Sequence, residues 1–328
     1  MSAREVNAHV PQLEFDVASL GIVVADVLAR PVDTMPELGK LVLVENMALH
    51  IGGLAAATSR VLAKLGARVA LIGSVGTDGF GDFVLETLRE SSVNTEGVKR
   101  TGEANTSVTL VLVSTDGERS FFHYTGASDA VREEDVDFHI LERARIVHFG
   151  GPFLMKQLDG EPIARILARA HSMGKLTSMD TAWDGKGRWL RLIEPSLEHL
   201  DIIHASLEEA RAITGKDEPE EIARFLQSYG IRTVVIKMGG AGCYIKGDDE
   251  VHRIGGLSVD VVDTTGAGDA FVGGFLYGVS RGWSIGECGR FANAVGALTV
   301  TKIGGSEAVE SYDATVAFMK GRGIAWAR

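Results

Sequence analysis

Alternation is the feature that most restricts how this chain can fold. Short apolar runs of strand length recur along it, among them VASLGIVVA, RVALIGSVG, RIVHFGG, KLTSMD, DIIHAS and TVVIKMGG. Between them lie segments whose apolar residues repeat at helical spacing. In GGLAAATSRVLAKLG, Leu54, Thr58, Val61, Leu62 and Leu65 share one face, and Gly66 stops the helix. FGDFVLETLRESS and EPIARILARAHSMG behave likewise. This pattern predicts an α/β fold, a mostly parallel sheet covered by helices on both faces. From about Asp260 onward the chain reads as helical.

Two segments break the alternation. GKLVLVENMALHIGG and TSVTLVLVSTDGERSFFHYTGASD are β-rich with no helix between strands, and the second holds an Asp116-Gly117 turn signal. A few antiparallel strands outside the main sheet are expected, either as a flap over a site or as a plain edge extension.

Composition excludes several classes of function. The 328 residues carry a formal charge of −11, so binding to nucleic acid or anionic membrane through bulk electrostatics is not expected. Any phosphate must be held by local geometry. Cys243 and Cys288 give neither a disulfide framework nor zinc spacing, which suits a reduced, cytoplasmic setting. The stretch MSAREVNAHVPQLEFD is polar, with no apolar leader core, and no run approaches 18 apolar residues.

The stretch DTTGAGDAF, Asp263 to Phe271, carries the chemistry. A β-like run, Val259 to Val262, precedes it, and a helix is expected to begin near Ala267. A helix N-terminus presents unsatisfied N–H groups and a partial positive charge. The N–H groups of Gly266, Ala267, Gly268 and Asp269 can therefore converge on an anion. A carboxylate beside a phosphate is out of place unless it accepts a proton from an attacking hydroxyl. That makes Asp269 a candidate base, the bland alternative being a first-turn carboxylate favoured by the helix dipole. A β-branched residue at Gly268 is expected to impair folding as well as phosphate binding. No G-x-x-x-x-G-K-[ST] is present, and no G-x-G-x-x-G follows the first strand.

DTTGAGDAF resembles the C-terminal motif of the ribokinase-like, or PfkB, family of carbohydrate kinases. IGGLAAATSRVLAKLGARVALIGSVGTDGFG resembles the family's first motif, and the resemblance covers about residues 16 to 320. It implies a single ribokinase-like domain over 1–328, with a small β-sheet lid from about 24–50 and 105–126 inserted in it. Gly266, Ala267 and Gly268 would form the anion hole for the γ-phosphate of ATP, with Asp269 as base. Asp263 and Thr265 match a site for a monovalent cation, usually potassium, or else brace the turn. KMGGAG matches the nucleotide loop, with Lys237, Gly239 and Gly242 as contacts, and Asn293 matches a position beside the adenine. Glu209 matches a glutamate that organises magnesium through water, but Ser206 stands where relatives carry asparagine.

For the acceptor, the resemblance implies Asp26 on the sugar hydroxyls, with Gly52 and Gly53 letting the sugar approach the backbone. Asp180 matches an aspartate near the acceptor in fructokinase-like relatives. Val24, Ala57 and Gly150-Gly151 replace polar sugar contacts, so ribose is not the expected substrate. The expectation is an ATP- and Mg2+-dependent kinase acting on a primary hydroxyl of fructose or another small sugar. A nucleoside kinase and a non-catalytic sugar- or nucleotide-binding regulator are the alternatives. No lysine or arginine sits in the Gly52-Gly53 region, which disfavours a phosphosugar. Relatives often press two lids together, so a homodimer is expected.

Overall fold

A computed structural model describes residues 13–116 and 118–328. The polar stretch MSAREVNAHVPQ and Gly117 of the turn signal lie outside the described residues. The strands are β1 (Phe15–Gly21), β2 (Val24–Arg30), β3 (Asn46–Gly52), β4 (Val69–Gly76), β5 (Asn94–Thr101), β6 (Ser107–Val113) and β7 (Arg119–Tyr124). They continue as β8 (Ala144–Gly150), β9 (Leu176–Asp180), β10 (Ile202–Ser206), β11 (Thr233–Lys237), β12 (Cys243–Lys246) and β13 (Val251–Ile254). The helices are α1 (Leu54–Lys64), α2 (Gly79–Glu90), α3 (Gly126–Asp129), α4 (Phe138–Glu142), α5 (Glu161–Ser172) and α6 (Leu190–Leu197). They end with α7 (Leu207–Thr214), α8 (Pro219–Gln227), α9 (Ala267–Ser280), α10 (Ile285–Thr299) and α11 (Tyr312–Lys320).

Nine strands form one sheet in the order β13-β12-β11-β10-β9-β8-β1-β4-β5. It is parallel from β11 to β5, and β12 and β13 run antiparallel at one edge. Both faces are covered, as the continuous apolar runs require. Leu20, Phe149, Met179, Ile203 and Ile236 pack on one side with α5 to α8, while Val17, Ile146, Ile202 and Val235 meet α1, α9 and α10. His148 and His204 are wholly buried on this sheet, in edge-to-face contact with each other. Burial holds His148 down at about 3 and His204 well below the usual histidine range, so both rings are neutral.

The second sheet has four strands in the order β3-β2-β6-β7. It differs from the expectation in three ways. β2 and β6 pair in parallel, so only the two outer pairs are antiparallel. Lys40 to Glu45 are not strand; Leu41 and Leu43 are exposed and irregular, and β3 begins only at Asn46. VASLGIVVA is not one strand. It breaks after Gly21, where the Ile22 N–H donates to the Gly150 carbonyl, and β1 and β2 enter different sheets. Asp26 therefore lies mid-strand in the small sheet, not at the end of a strand of the large one.

Candidate functional site

The parallel strands end along one edge of the large sheet. Gly21, Gly150 and Asp180 are register partners there, and Lys237 ends β11 opposite Ser206. Open α/β sheets bind ligands at this edge.

The turn before α9 arrives at the same place. Val259 to Val262 form no strand; the segment is fixed instead by Val262 donating to the Val300 carbonyl at 2.8 Å. Gly266 caps α9 with φ +70, and a Cβ there would lie 3.2 Å from the Gly305 Cα. Only glycine holds that left-handed conformation without strain. The Ala267 N–H turns back to the Thr264 carbonyl at 3.3 Å. The N–H groups of Gly266, Gly268 and Asp269 have no backbone acceptor among the described residues. Three of the four expected donors are thus open to an anion. Gly268 is less constrained than expected: a Cβ would meet nothing nearer than the Lys237 ammonium at 3.4 Å. Crowding at 268 therefore falls on the cleft side and not on the backbone.

Asp263 sits buried beneath this turn. Its carboxylate accepts from the Thr265 N–H at 2.9 Å and the Gly304 N–H at 3.1 Å, tying the motif to the loop at 304–306. Arg60 on α1 anchors that loop in turn, through Ser306 at 3.2 Å and Glu307 at 2.6 Å. The Thr58 hydroxyl donates to the Asp269 carbonyl at 3.2 Å, fixing α1 against α9.

A cleft of about 910 Å³ opens at the strand ends, and Lys237, Gly239, Gly242, Asn293, Glu209, Asp180 and Gly266 to Asp269 all line it. The Lys237 Nζ donates to Asp180 Oδ1 at 2.6 Å. Asp180, expected beside the acceptor, holds the lysine that ends β11 and lines the same cleft as Asp269. Its other oxygen is buried and has no partner among the described residues. Burial raises the Asp180 carboxyl to about 7, while Asp180, Glu209 and Asp269 together hold the Lys237 ammonium above its ordinary value despite burial. Asn293 donates to the carbonyls of Ile254 and Gly255 at 3.3 and 3.2 Å, bracing the far wall.

Ser206 caps α7. It accepts from the Glu209 N–H at 3.2 Å, and Glu209 reaches back to the Ser206 N–H at 2.9 Å. The replacement of asparagine by serine is thereby accommodated as a helix cap. Glu209 also accepts from the Thr181 hydroxyl at 3.0 Å through the same oxygen, and the residue lines the cleft.

A smaller pocket adjoins the cleft. Asp26, His50, Gly52, Ala57 and Thr265 line it, and it shares Gly266 and Asp269 with the cleft. Asp26 packs directly on Gly52, where a Cβ would fall 2.2 Å from the nearest carboxylate oxygen. Burial raises Asp26 to about 7, with Asp269 and Asp263 adding to the rise and Thr109 opposing it. Burial likewise raises Asp269, to about 6, held back first by Lys237. Gly53 lines neither space; it caps α1 at φ +85, against the Ile22 carbonyl.

Sequence reasoning missed three residues here. Arg119, on β7, lines the cleft and donates to the Thr265 hydroxyl at 3.3 Å, linking the small sheet to the phosphate turn. Trp183 lines the same cleft with 60% of its surface exposed. His50 lines the small pocket. Only His50 had a signal: it precedes Gly52 by two residues, the spacing that puts both on one face of a strand.

Comparison with known proteins agrees with this geometry. A model of the pfkB family carbohydrate kinases matches residues 14–311. Fructokinase-2 of Zea mays is 31% identical, the match covering 83% of this chain and 87% of that protein. The crystal structure of a fructokinase with bound ATP from Xylella fastidiosa superposes with a TM-score of 0.82 at 25% identity, covering 94% of this chain and 99% of that one. Arabidopsis thaliana ribokinase complexed with ribose and ATP gives a TM-score of 0.81 at 24% identity, covering 93% and 99%. Half the chain and more matches the family model, from the first strand to beyond the phosphate turn, and the chain therefore belongs to the pfkB family of carbohydrate kinases.

Proposed function

We propose that this sugar kinase transfers the γ-phosphoryl group of ATP to a primary hydroxyl of a small uncharged sugar, a ketohexose such as fructose being the first acceptor to test. One observation carries the assignment of roles: the large cleft and the small pocket meet at Gly266 and Asp269. A nucleotide entering along Gly239, Gly242 and Asn293 brings its terminal phosphate to the N-terminus of α9. There the N–H groups of Gly266, Gly268 and Asp269 and the Lys237 ammonium take up the negative charge. A sugar held by Asp26 against Gly52 presents its hydroxyl from the other side. Asp269 accepts the hydroxyl proton as the sugar oxygen bonds to phosphorus and the bond to the ADP oxygen breaks.

Magnesium fits this arrangement. Among the described residues no three potential ligands converge, while Glu208 and Glu209 line the cleft. That donor set suits an ion carried on phosphate oxygens and water, with Glu209 holding it through water. Bound there, it would neutralise charge on the transferring phosphate. Potassium beside Asp263 and Thr265 would reinforce the brace already made by the carboxylate; a rise in kcat on replacing sodium by potassium checks it.

The small sheet serves in this proposal as a lid. Phe122 and Tyr124 on β7 and Met47 on β3 are more than half exposed and share one face of the sheet, an apolar surface that a second copy of the chain would cover. Among the described residues no helix is long and apolar enough to cross a membrane; a cytoplasmic site of action, where ATP is available, completes the proposal. A nucleoside acceptor is the second reading to test. A coupled ATP-consumption assay over D-fructose, D-ribose, D-glucose and adenosine decides among them. Turnover with none of these, at saturating Mg-ATP, would refute the assignment.

A further inference from the structure

The small pocket has few polar side chains, and most already have work. Its walls include Leu28, Ile51, Ala57 and Val111. Of the polar groups, the Thr265 hydroxyl accepts from Arg119 and the Ser306 hydroxyl from Arg60, while Asp269 is reserved for the reacting hydroxyl. Two side chains remain for the rest of an acceptor: Asp26 and His50. They are direct partners across the β2–β3 pair, so both project from one face of the small sheet.

The His50 ring is tightly placed. It packs against Gly304 so closely that a Cβ on that residue would lie 2.5 Å from its Cε1 and Nδ1. Gly304 is the residue whose N–H Asp263 holds, so the ring rests on the loop tied to the phosphate turn. The Nε2 is buried and has no hydrogen-bond partner among the described residues. A buried, unpartnered polar atom costs stability and favours whatever satisfies it. Burial holds the imidazole below its ordinary pKa and so neutral, despite Glu307 and Asp263 nearby. A neutral ring nitrogen either donates or accepts, and a hydroxyl can answer both.

We propose that His50 is an acceptor-specificity residue, whose Nε2 hydrogen-bonds a sugar hydroxyl other than the one phosphorylated, beside the hydroxyl held by Asp26. The pair selects a neutral polyhydroxylated acceptor with two hydroxyls spaced to span a carboxylate and an imidazole. It rests on the small pocket being the acceptor site, as proposed above.

The test uses the full chain with Mg-ATP and whichever of D-fructose, D-ribose, D-glucose and adenosine the wild type phosphorylates fastest. His50→Ala should raise the KM for that acceptor about tenfold, the loss of one hydrogen bond, with kcat within threefold and the KM for ATP unchanged. His50→Asn, which keeps a donor and an acceptor, should recover most of the loss and decides the matter if the alanine variant does not fold. Among monodeoxy analogues of the acceptor, one should be weakened in the wild type and no further weakened by His50→Ala. An unchanged acceptor KM, or equal rises in the KM for acceptor and ATP, would overturn the assignment of His50. A wild type that phosphorylates none of the four overturns the functional reading first, and the two failures are thereby told apart.

Discussion

Gly52→Ala isolates the acceptor side of the site from the phosphate side. An added methyl would lie 2.2 Å from one Asp26 carboxylate oxygen and 2.3 Å from the other and from Cγ, all far inside van der Waals contact. Gly52 ends β3 in a conformation that alanine adopts, so the backbone is not strained and the whole perturbation falls on the Asp26 side chain. The carboxylate must rotate away. A hydrogen bond to a charged group contributes about 1.5–3 kcal/mol, which at 1.4 kcal/mol per tenfold predicts a roughly 10- to 150-fold rise in acceptor KM. Residual overpacking lowers stability by about 1–3 kcal/mol. Steady-state kinetics with the preferred acceptor, with ATP varied separately, measures the effect; the ATP KM should stay within twofold. A folded Gly52→Ala enzyme with wild-type acceptor KM would show that Asp26 does not hold the sugar.

Gly266→Ala and Gly268→Ala should differ in kind: the first costs about 1–2 kcal/mol of stability through its left-handed backbone, read by denaturant unfolding. The second should unfold normally but bind an ATP analogue more weakly by calorimetry, since its methyl points toward Lys237. Lys237→Met strands the buried Asp180 carboxylate and should destabilise the protein by about 3–5 kcal/mol. It also removes the cation that holds Asp269 down, so the acid limb of kcat/KM, near pH 6 in the wild type, should move to higher pH. Sedimentation should show a dimer, and hydrogen exchange across Val108 to Val113 should slow when acceptor binds; a monomer with unchanged exchange would remove the lid.

The phosphate turn was legible in the sequence because its chemistry is local. Glycines, an aspartate and a helix start lie within nine residues, and the anion-binding chemistry they suggest can be read from that stretch before its distant braces, such as Gly304 on Asp263, are known. The large sheet was legible for a similar reason, since buried parallel strands write themselves as unbroken apolar runs. That same continuity hid the break after Gly21: Ile22 and Val23 are as apolar as their neighbours, and nothing local tells which sheet a strand joins. LVLVE misled in the opposite sense, β-rich residues without a partner strand to pair them. The Asp180–Lys237 pair was not legible because it joins residues 57 apart in the chain. Arg119 stayed hidden because it reaches its site only when the small sheet folds over the cleft.

The central claim is that Asp269 takes the acceptor's proton at the mouth of an anion site. The most direct measurement is the turnover of Asp269→Asn, paired with calorimetric titration of an ATP analogue. Losing a general base removes about 10²–10⁴ of the rate. Asparagine fills the same space, and the N–H groups at the start of α9 are untouched. The account predicts turnover reduced by that factor and nucleotide affinity within a few-fold of wild type. In the wild type kcat/KM should fall tenfold per unit below about pH 6, where the carboxylate becomes protonated. A variant that binds nucleotide normally and keeps a third of wild-type turnover would contradict it.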